Sequence, residues 1–188
     1  MIPFRKGVEV WARGRNPLLY APLLLVLLFF FVRHLGDPLY SSLFDGLNLV
    51  IHESGHLALG WFGEWIGIAG GTIFQLGIPA LVGFMFYRQG DYYAMAFVLF
   101  WMGTNLVDVG IYVADARARA LPLVSPTTGE PLHDWYYLLS RAGLLRQYRL
   151  LGGVARALGL ISMGLSLTWG GWMLTVMRNA QKDETAQG

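Results

Sequence analysis

Cysteine is absent from this chain of 188 residues, which excludes disulfide bonds and any metal site built on thiolates. A metal bound here must therefore have histidine, carboxylate or water ligands. Charged residues are also scarce, at 14% of the chain against about 25% in an average soluble protein. The net charge of +2 is too small to indicate a nucleic-acid partner.

The few charges are clustered, and the stretches between them are long and apolar. The longest uncharged stretches are residues 18–32, 65–87, 92–107 and 157–177. Stretches near the roughly 20 residues that cross the hydrocarbon core of a bilayer are typical of transmembrane helices. The sequence therefore predicts an all-α integral membrane protein embedded in a lipid bilayer, which we place in a bacterial inner membrane.

We expect about five transmembrane helices in a single domain that covers residues 1–178. The predicted spans are 17–33, 43–63, 66–87, 92–114 and 154–177. The third span contains five glycines and Pro79, which disfavour a continuous helix, so it is expected to be a broken helix or a re-entrant loop. The polar tail 179–188 is expected to be disordered.

The distribution of lysine and arginine predicts the orientation. With five spans and a cytoplasmic N-terminus, ten of these residues fall on the cytoplasmic side and four outside. The ten are Arg5, Lys6, Arg13, Arg15, Arg117, Arg119, Arg141, Arg146, Arg149 and Arg156. This excess follows the positive-inside rule. It predicts a cytoplasmic loop at 115–153 and an external C-terminus.

The second span contains an H-E-x-x-H motif, formed by His52, Glu53 and His56. Residues four apart lie on one face of a helix, so two imidazoles at this spacing can bind one Zn²⁺. The glutamate between them is then placed to act as general base on a metal-bound water. Ionisable groups within a membrane are costly and are functional by default. We therefore predict that His52 and His56 bind zinc and that Glu53 is catalytic.

Zinc needs a third protein ligand, and the fourth span offers one candidate. Asn105, Asp108, Tyr112 and Asp115 recur there at steps of three and four residues and form a polar stripe. Asp108 is preferred because a carboxylate offsets part of the metal charge in a site of low dielectric constant. Asn105 shares its face and is expected to orient a ligand or a substrate carbonyl. Asp115 ranks lower, since neighbouring arginines favour a solvated ion pair.

The cytoplasmic loop offers another candidate for the third ligand, His133. It is followed by Asp134, whose carboxylate can hold the second ring nitrogen of a histidine ligand. One of Asp108 and His133 is thus expected to bind the metal, and Asp134 is expected to support His133.

H-E-x-x-H within a transmembrane helix, followed by Asn105 and Asp108 in a later one, resembles the site-2 protease (M50) family of intramembrane zinc metalloproteases. The resemblance covers mainly residues 45–115. The later motif of that family has the form N-x-x-P-x-x-x-L-D-G, and its aspartate is the third zinc ligand. This chain has Asp108 at the proline position and no Leu-Asp-Gly, so it resembles a divergent branch.

The resemblance implies a zinc-dependent metalloprotease that hydrolyses a peptide bond of a membrane protein or peptide in or beside the bilayer. An accessory protein would then contribute to substrate selection. Two alternatives remain open on the residues alone. One is a zinc-dependent hydrolase of lipid amides, which would use the same chemistry. The other is a metal transporter or sensor, which needs ligands but not a neighbouring base such as Glu53.

Overall fold

The structure, a computed structural model, describes residues 4–37, 39–122 and 132–187. Most of these residues are helical, and none of them forms a strand. The helices are α1 (Phe4–Ala12), α2 (Pro17–Gly36), α3 (Leu43–Leu59), α4 (Glu64–Gln89), α5 (Ala94–Asp115), α6 (Asp134–Arg141) and α7 (Tyr148–Gln187). The expected all-α class is confirmed for the described part of the chain.

Four of the described helices, α2, α4, α5 and α7, are long and apolar enough to cross a membrane. The expected second span is different, because α3 has only 17 residues. At 1.5 Å per residue it is about 25 Å long, whereas the hydrocarbon core of a bilayer is about 30 Å thick. The structure thus supports four candidate spans, and α3 is a shorter helix packed among them.

The shorter helix α3 begins in the interior of the bundle. Its first turn carries Phe44, whose ring packs against Phe30 in α2 and Phe100 in α5. Further along, Asn48 bonds to Asp108 of α5. Because later residues of α3 meet later residues of α5, the two helices run in the same direction. The motif histidines therefore lie towards the end of the bundle at which α5 ends.

The glycine-rich helix α4 is one continuous helix of 26 residues that includes Pro79. The expectation of a broken helix or a re-entrant loop is wrong for this segment. Its glycines serve close packing instead, since a Cβ atom on Gly70 would lie 2.5 Å from the carbonyl oxygen of Gly55 in α3. A Cβ on Gly55 would in turn lie 2.1 Å from the carbonyl oxygen of Gly70. Only glycine at both positions allows the two backbones to approach so closely.

α1 and the last part of α7 lie at the same end of the bundle. Val8 of α1 is fully buried in a cluster with Met173 and Met177 of α7, and the Gly14 N–H donates to Glu184 Oε1 at 3.1 Å. α7 continues as a helix to Gln187, although residues 182–186 are exposed. The disorder expected for the tail and the membrane side expected for each terminus stay predictions.

Candidate metal centre

The two motif histidines lie one turn apart on the same face of α3. The ring centroids of His52 and His56 are 4.8 Å apart, and both Nε2 atoms point towards α4 and α6. His52 is buried and His56 is half-buried. The two histidines therefore have the spacing expected from H-E-x-x-H, and their imidazoles can bind one metal ion together.

The third member of the group is Asp134, at the first position of α6. Its Oδ2 atom lies 2.9 Å from His52 Nε2 and 3.1 Å from His56 Nε2. One ligand atom from each of the three residues lies within 4.8 Å of the others. Two imidazoles and one carboxylate are a typical ligand set of catalytic zinc sites, which leave a further position open.

The protonation of both imidazoles is fixed by carbonyl oxygens behind them. His52 Nδ1 lies 2.9 Å from the side-chain oxygen of Gln75, and His56 Nδ1 lies 2.9 Å from the backbone oxygen of Gly67. A carbonyl oxygen can only accept a hydrogen bond, so each Nδ1 carries the proton and donates it. In a neutral imidazole the other nitrogen then has a free lone pair, and here that nitrogen is Nε2.

Two lone pairs and a carboxylate oxygen thus converge on one point. Burial raises the pKa of Asp134, but hydrogen bonds and positive charge from the two facing histidines outweigh it and hold this pKa below its ordinary value. That effect belongs to imidazoles that carry protons on Nε2, and it leaves the carboxylate ionised at neutral pH. An ionised carboxylate and two nitrogen lone pairs repel one another unless positive charge lies between them. The arrangement therefore fits a cation, which takes the place of protons on the Nε2 atoms.

The space beside the two Nε2 atoms is kept open by Gly71 of α4. A Cβ atom at this position would lie 2.5 Å from His52 Nε2 and 2.6 Å from His56 Nε2. A side chain of any size would therefore fill the place that a metal and its additional ligand need. Gly71 thus meets a steric requirement of the metal site that is separate from the close packing at Gly70.

The glutamate of the motif is not part of the three-residue ligand group. Glu53 follows His52 on α3 and is half-buried, and its Oε2 atom is buried without a hydrogen-bond partner among the described residues. A buried carboxylate oxygen without a partner is costly. It is available to a water molecule or a substrate group at the site, as a general base must be.

The structure places Asp108, the preferred third ligand, away from the histidine pair. Its Oδ2 atom accepts a hydrogen bond of 2.7 Å from Asn48, one turn before His52. Asn48 also accepts a bond from Trp101 Nε1 at 2.9 Å, so Asp108 belongs to a buried polar network that joins α3 to α5. Asn105 is fully buried in α5 and donates to the Trp101 carbonyl of its own helix, and it does not contact the three-residue group.

The other expected ligand, His133, lies against α5. Its Nδ1 accepts the Tyr136 backbone N–H at 3.2 Å. Its Nε2 is buried without a hydrogen-bond partner among the described residues and lies 3.4 Å from Asp115 Oδ2. Burial lowers the pKa of His133, although Asp115 opposes this effect, so the ring is neutral at pH 7. With Nδ1 as acceptor, the proton is on Nε2 and faces Asp115.

The roles expected for His133 as a ligand and Asp134 as its support stay predictions, but the positions of the two residues differ from those that these roles suggest. Asp134 faces the histidine pair, and His133 is held against α5. Sequence reasoning also missed Gln75 and Gly71, which flank the histidines from α4. A polar residue in an apolar helix is a signal that would have identified Gln75, but nothing in the sequence distinguishes Gly71 from the other glycines of α4.

Comparisons with protein-family models, with curated proteins and with solved structures found no match to this chain.

Proposed function

We propose that His52, His56 and Asp134 bind a zinc ion. The observation that carries this proposal is the orientation of the two imidazoles, whose Nδ1 atoms are held by carbonyl oxygens while their Nε2 atoms face one carboxylate oxygen. Hydrogen bonds behind a ligating histidine fix its tautomer and direction in metal sites. Histidine nitrogen and carboxylate oxygen are donors that suit zinc.

We propose further that the site hydrolyses an amide bond, with Glu53 as general base. Zinc bound there would lower the pKa of a water ligand to about 7 and polarise a carbonyl group. Glu53 Oε2 is buried and has no partner among the described residues, so it can accept a proton from the attacking water. The same oxygen would then give this proton to the leaving amine.

The proposed substrate is a peptide bond of a membrane protein or peptide, in or beside the bilayer. Support comes from the position of the site among helices that are long and apolar enough to cross a membrane. It comes also from H-E-x-x-H and its resemblance to the site-2 protease family. That resemblance does not extend to the third ligand, because Asp134 comes from α6 and not from the Asn105–Asp108 region. We therefore propose a membrane metalloprotease with its own third-ligand arrangement.

The deciding experiment replaces Glu53 by glutamine in the full-length protein, purified in detergent and loaded with zinc. Zinc content is measured by elemental analysis. Hydrolysis is measured on two probes, a fluorescent transmembrane peptide and a fluorescent ceramide. We expect one zinc ion per chain in both the wild type and Glu53→Gln. We expect cleavage of the peptide by the wild type and not by Glu53→Gln. Glu64→Gln is the matched control, since Glu64 lies at the exposed start of α4.

Other results would replace parts of the proposal. Cleavage of the ceramide and not the peptide would make the protein a lipid amidase with the same site. Loss of zinc from Glu53→Gln in a folded protein would make Glu53 a ligand. A wild type that binds zinc and cleaves neither probe would favour a transporter or sensor, which uptake of zinc into proteoliposomes would then test.

A further inference from the structure

The proposed third ligand is supplied by a short helix. Asp134 is the first residue of α6, which has only eight residues. A helix of this length is not stable by itself in water, so its contacts with the bundle must fix the position of the carboxylate. Metal ligands need to be held within about 0.5 Å of their productive geometry.

The last turns of α5 supply contacts to both residues of the 133–134 dipeptide. The Tyr112 hydroxyl accepts the Asp134 backbone N–H at 3.1 Å, and the Tyr112 ring lies 4.3 Å from the His133 ring, centroid to centroid. Asp115, three residues after Tyr112, lies 3.4 Å from His133 Nε2. The dipeptide is therefore held on one face of α5.

Asp115 is itself fixed in place. Its two carboxylate oxygens accept the backbone N–H groups of Ala120 and Leu121, each at 3.0 Å. The segment that follows α5 therefore fixes the position of the Asp115 carboxylate next to His133. The contact between Asp115 and His133 joins two parts of the chain that lie on either side of the segment 123–131.

We propose that His133 is a positioning residue that directs the Asp134 carboxylate towards His52 and His56. This inference rests on the proposed metal site. The imidazole makes three contacts at once: its Nδ1 caps the start of α6, its Nε2 lies close to Asp115, and its ring packs against Tyr112. It is only 2% exposed. These contacts hold the His133 backbone in place, and with it the start of the next residue, Asp134.

A simple helix-capping role would not need a histidine. Asparagine, aspartate and serine are better N-cap residues, and they accept the same backbone N–H. An asparagine at position 133 would keep an acceptor for the Tyr136 N–H but would be too short to reach Asp115 and could not stack on Tyr112. The variant His133→Asn therefore separates the capping role from the positioning role.

The test uses Co²⁺ as a spectroscopic probe of the full-length protein in detergent. Its visible absorption reports the geometry of the ligands, and its titration gives the affinity. We expect His133→Asn and Asp115→Asn to bind Co²⁺ about 10- to 100-fold more weakly than wild type, the range typical of residues that orient a ligand, with an altered spectrum. Asn16→Ala is the matched control, because Asn16 caps α2, and it should leave both readouts unchanged.

A double-mutant cycle distinguishes positioning from a general loss of stability. If His133 acts through Asp134, then His133→Asn should weaken Co²⁺ binding by less than twofold further when Asp134→Asn is already present. Wild-type affinity and spectrum in both His133→Asn and Asp115→Asn would overturn the inference while leaving the metal site intact. Additive losses in the cycle would also overturn it. Absence of Co²⁺ and Zn²⁺ binding by the wild type would instead overturn the proposed metal site, and the inference with it.

Discussion

Gln75 of α4 holds His52 of α3 by accepting a hydrogen bond from its Nδ1 atom at 2.9 Å. Gln75 is buried, and this bond directs the other ring nitrogen of His52 towards Asp134. The replacement Gln75→Ala removes the acceptor and frees the imidazole to rotate. We expect the zinc affinity to fall about 10- to 100-fold, as for other residues that hold a ligating histidine.

A competition titration with a chelating dye measures the zinc affinity of Gln75→Ala. Gln89→Ala is the matched control, since Gln89 is exposed at the end of the same helix. An unchanged affinity in Gln75→Ala would mean that the bond to Gln75 does not control the tautomer of His52.

Gly71 is expected to tolerate no side chain while zinc is bound. The replacement Gly71→Ala puts a methyl group 2.5 Å from His52 Nε2 and 2.6 Å from His56 Nε2, so the imidazoles must move or the metal is excluded. We expect zinc binding and hydrolysis to be lost while the helical circular dichroism remains that of the wild type. Elemental analysis and circular dichroism of the purified variant check both statements.

Gly77→Ala provides the control for Gly71→Ala within the same helix. A Cβ atom at Gly77 meets no atom within 4 Å, so the substitution should leave zinc binding intact. It should also stabilise α4 by about 0.5–1 kcal/mol, because alanine loses less conformational entropy in a helix than glycine. Retention of zinc by both variants would show that the metal does not occupy the space beside Gly71.

The two aspartates that contact α3 should respond differently to replacement by asparagine. Asp134→Asn removes the negative charge that faces both Nε2 atoms, and we expect zinc affinity to fall more than tenfold. Asp108→Asn keeps a side chain that can bond to Asn48, and we expect less than a twofold change in zinc affinity. Zinc titrations of the two variants check this, and the opposite order would restore Asp108 as the third ligand.

Local residue spacing was sufficient to predict half of the candidate site. His52, Glu53 and His56 lie within one turn of one helix, so their relative positions follow from helical geometry alone. The third ligand depends on how α3, α5 and α6 pack, which is long-range information. The charge argument for a carboxylate ligand agrees with Asp134, but Asp108 is instead bonded to Asn48 of α3.

The errors in the fold have a similar cause. The glycines of α4 disfavour a helix by local propensity. One of them, Gly70, nevertheless allows the close packing of α4 against Gly55 of α3. The polar tail has the composition of a disordered segment, and the continuation of α7 into it cannot be predicted from composition. The hydropathy of residues 43–63 also predicted a transmembrane span there. Hydropathy does not reveal that α3 starts inside the bundle and is therefore shorter than a span.

The last prediction concerns the location of the two termini. The contact between Gly14 and Glu184, together with four candidate spans, predicts that the N-terminus and the C-terminus lie on the same side of a membrane. This places Arg178 and Lys182 on the same side as Arg5 and Lys6, so the ten-to-four excess of basic residues no longer applies. Which side this is, the cytoplasmic one expected from the sequence or the other, stays a prediction.

Fusions of a fluorescent protein that matures only in the cytoplasm, and of a phosphatase active only outside it, can be placed at each end in turn. We expect the two termini to give the same result with each reporter. A fusion after Arg119, in the segment that follows α5, should give the opposite result. Three candidate spans, α2, α4 and α5, lie between this segment and the N-terminus, and one, α7, lies between it and the C-terminus. Termini that report opposite sides would mean an odd number of crossings. The α1–α7 contact would then have to be absent from the membrane-embedded protein.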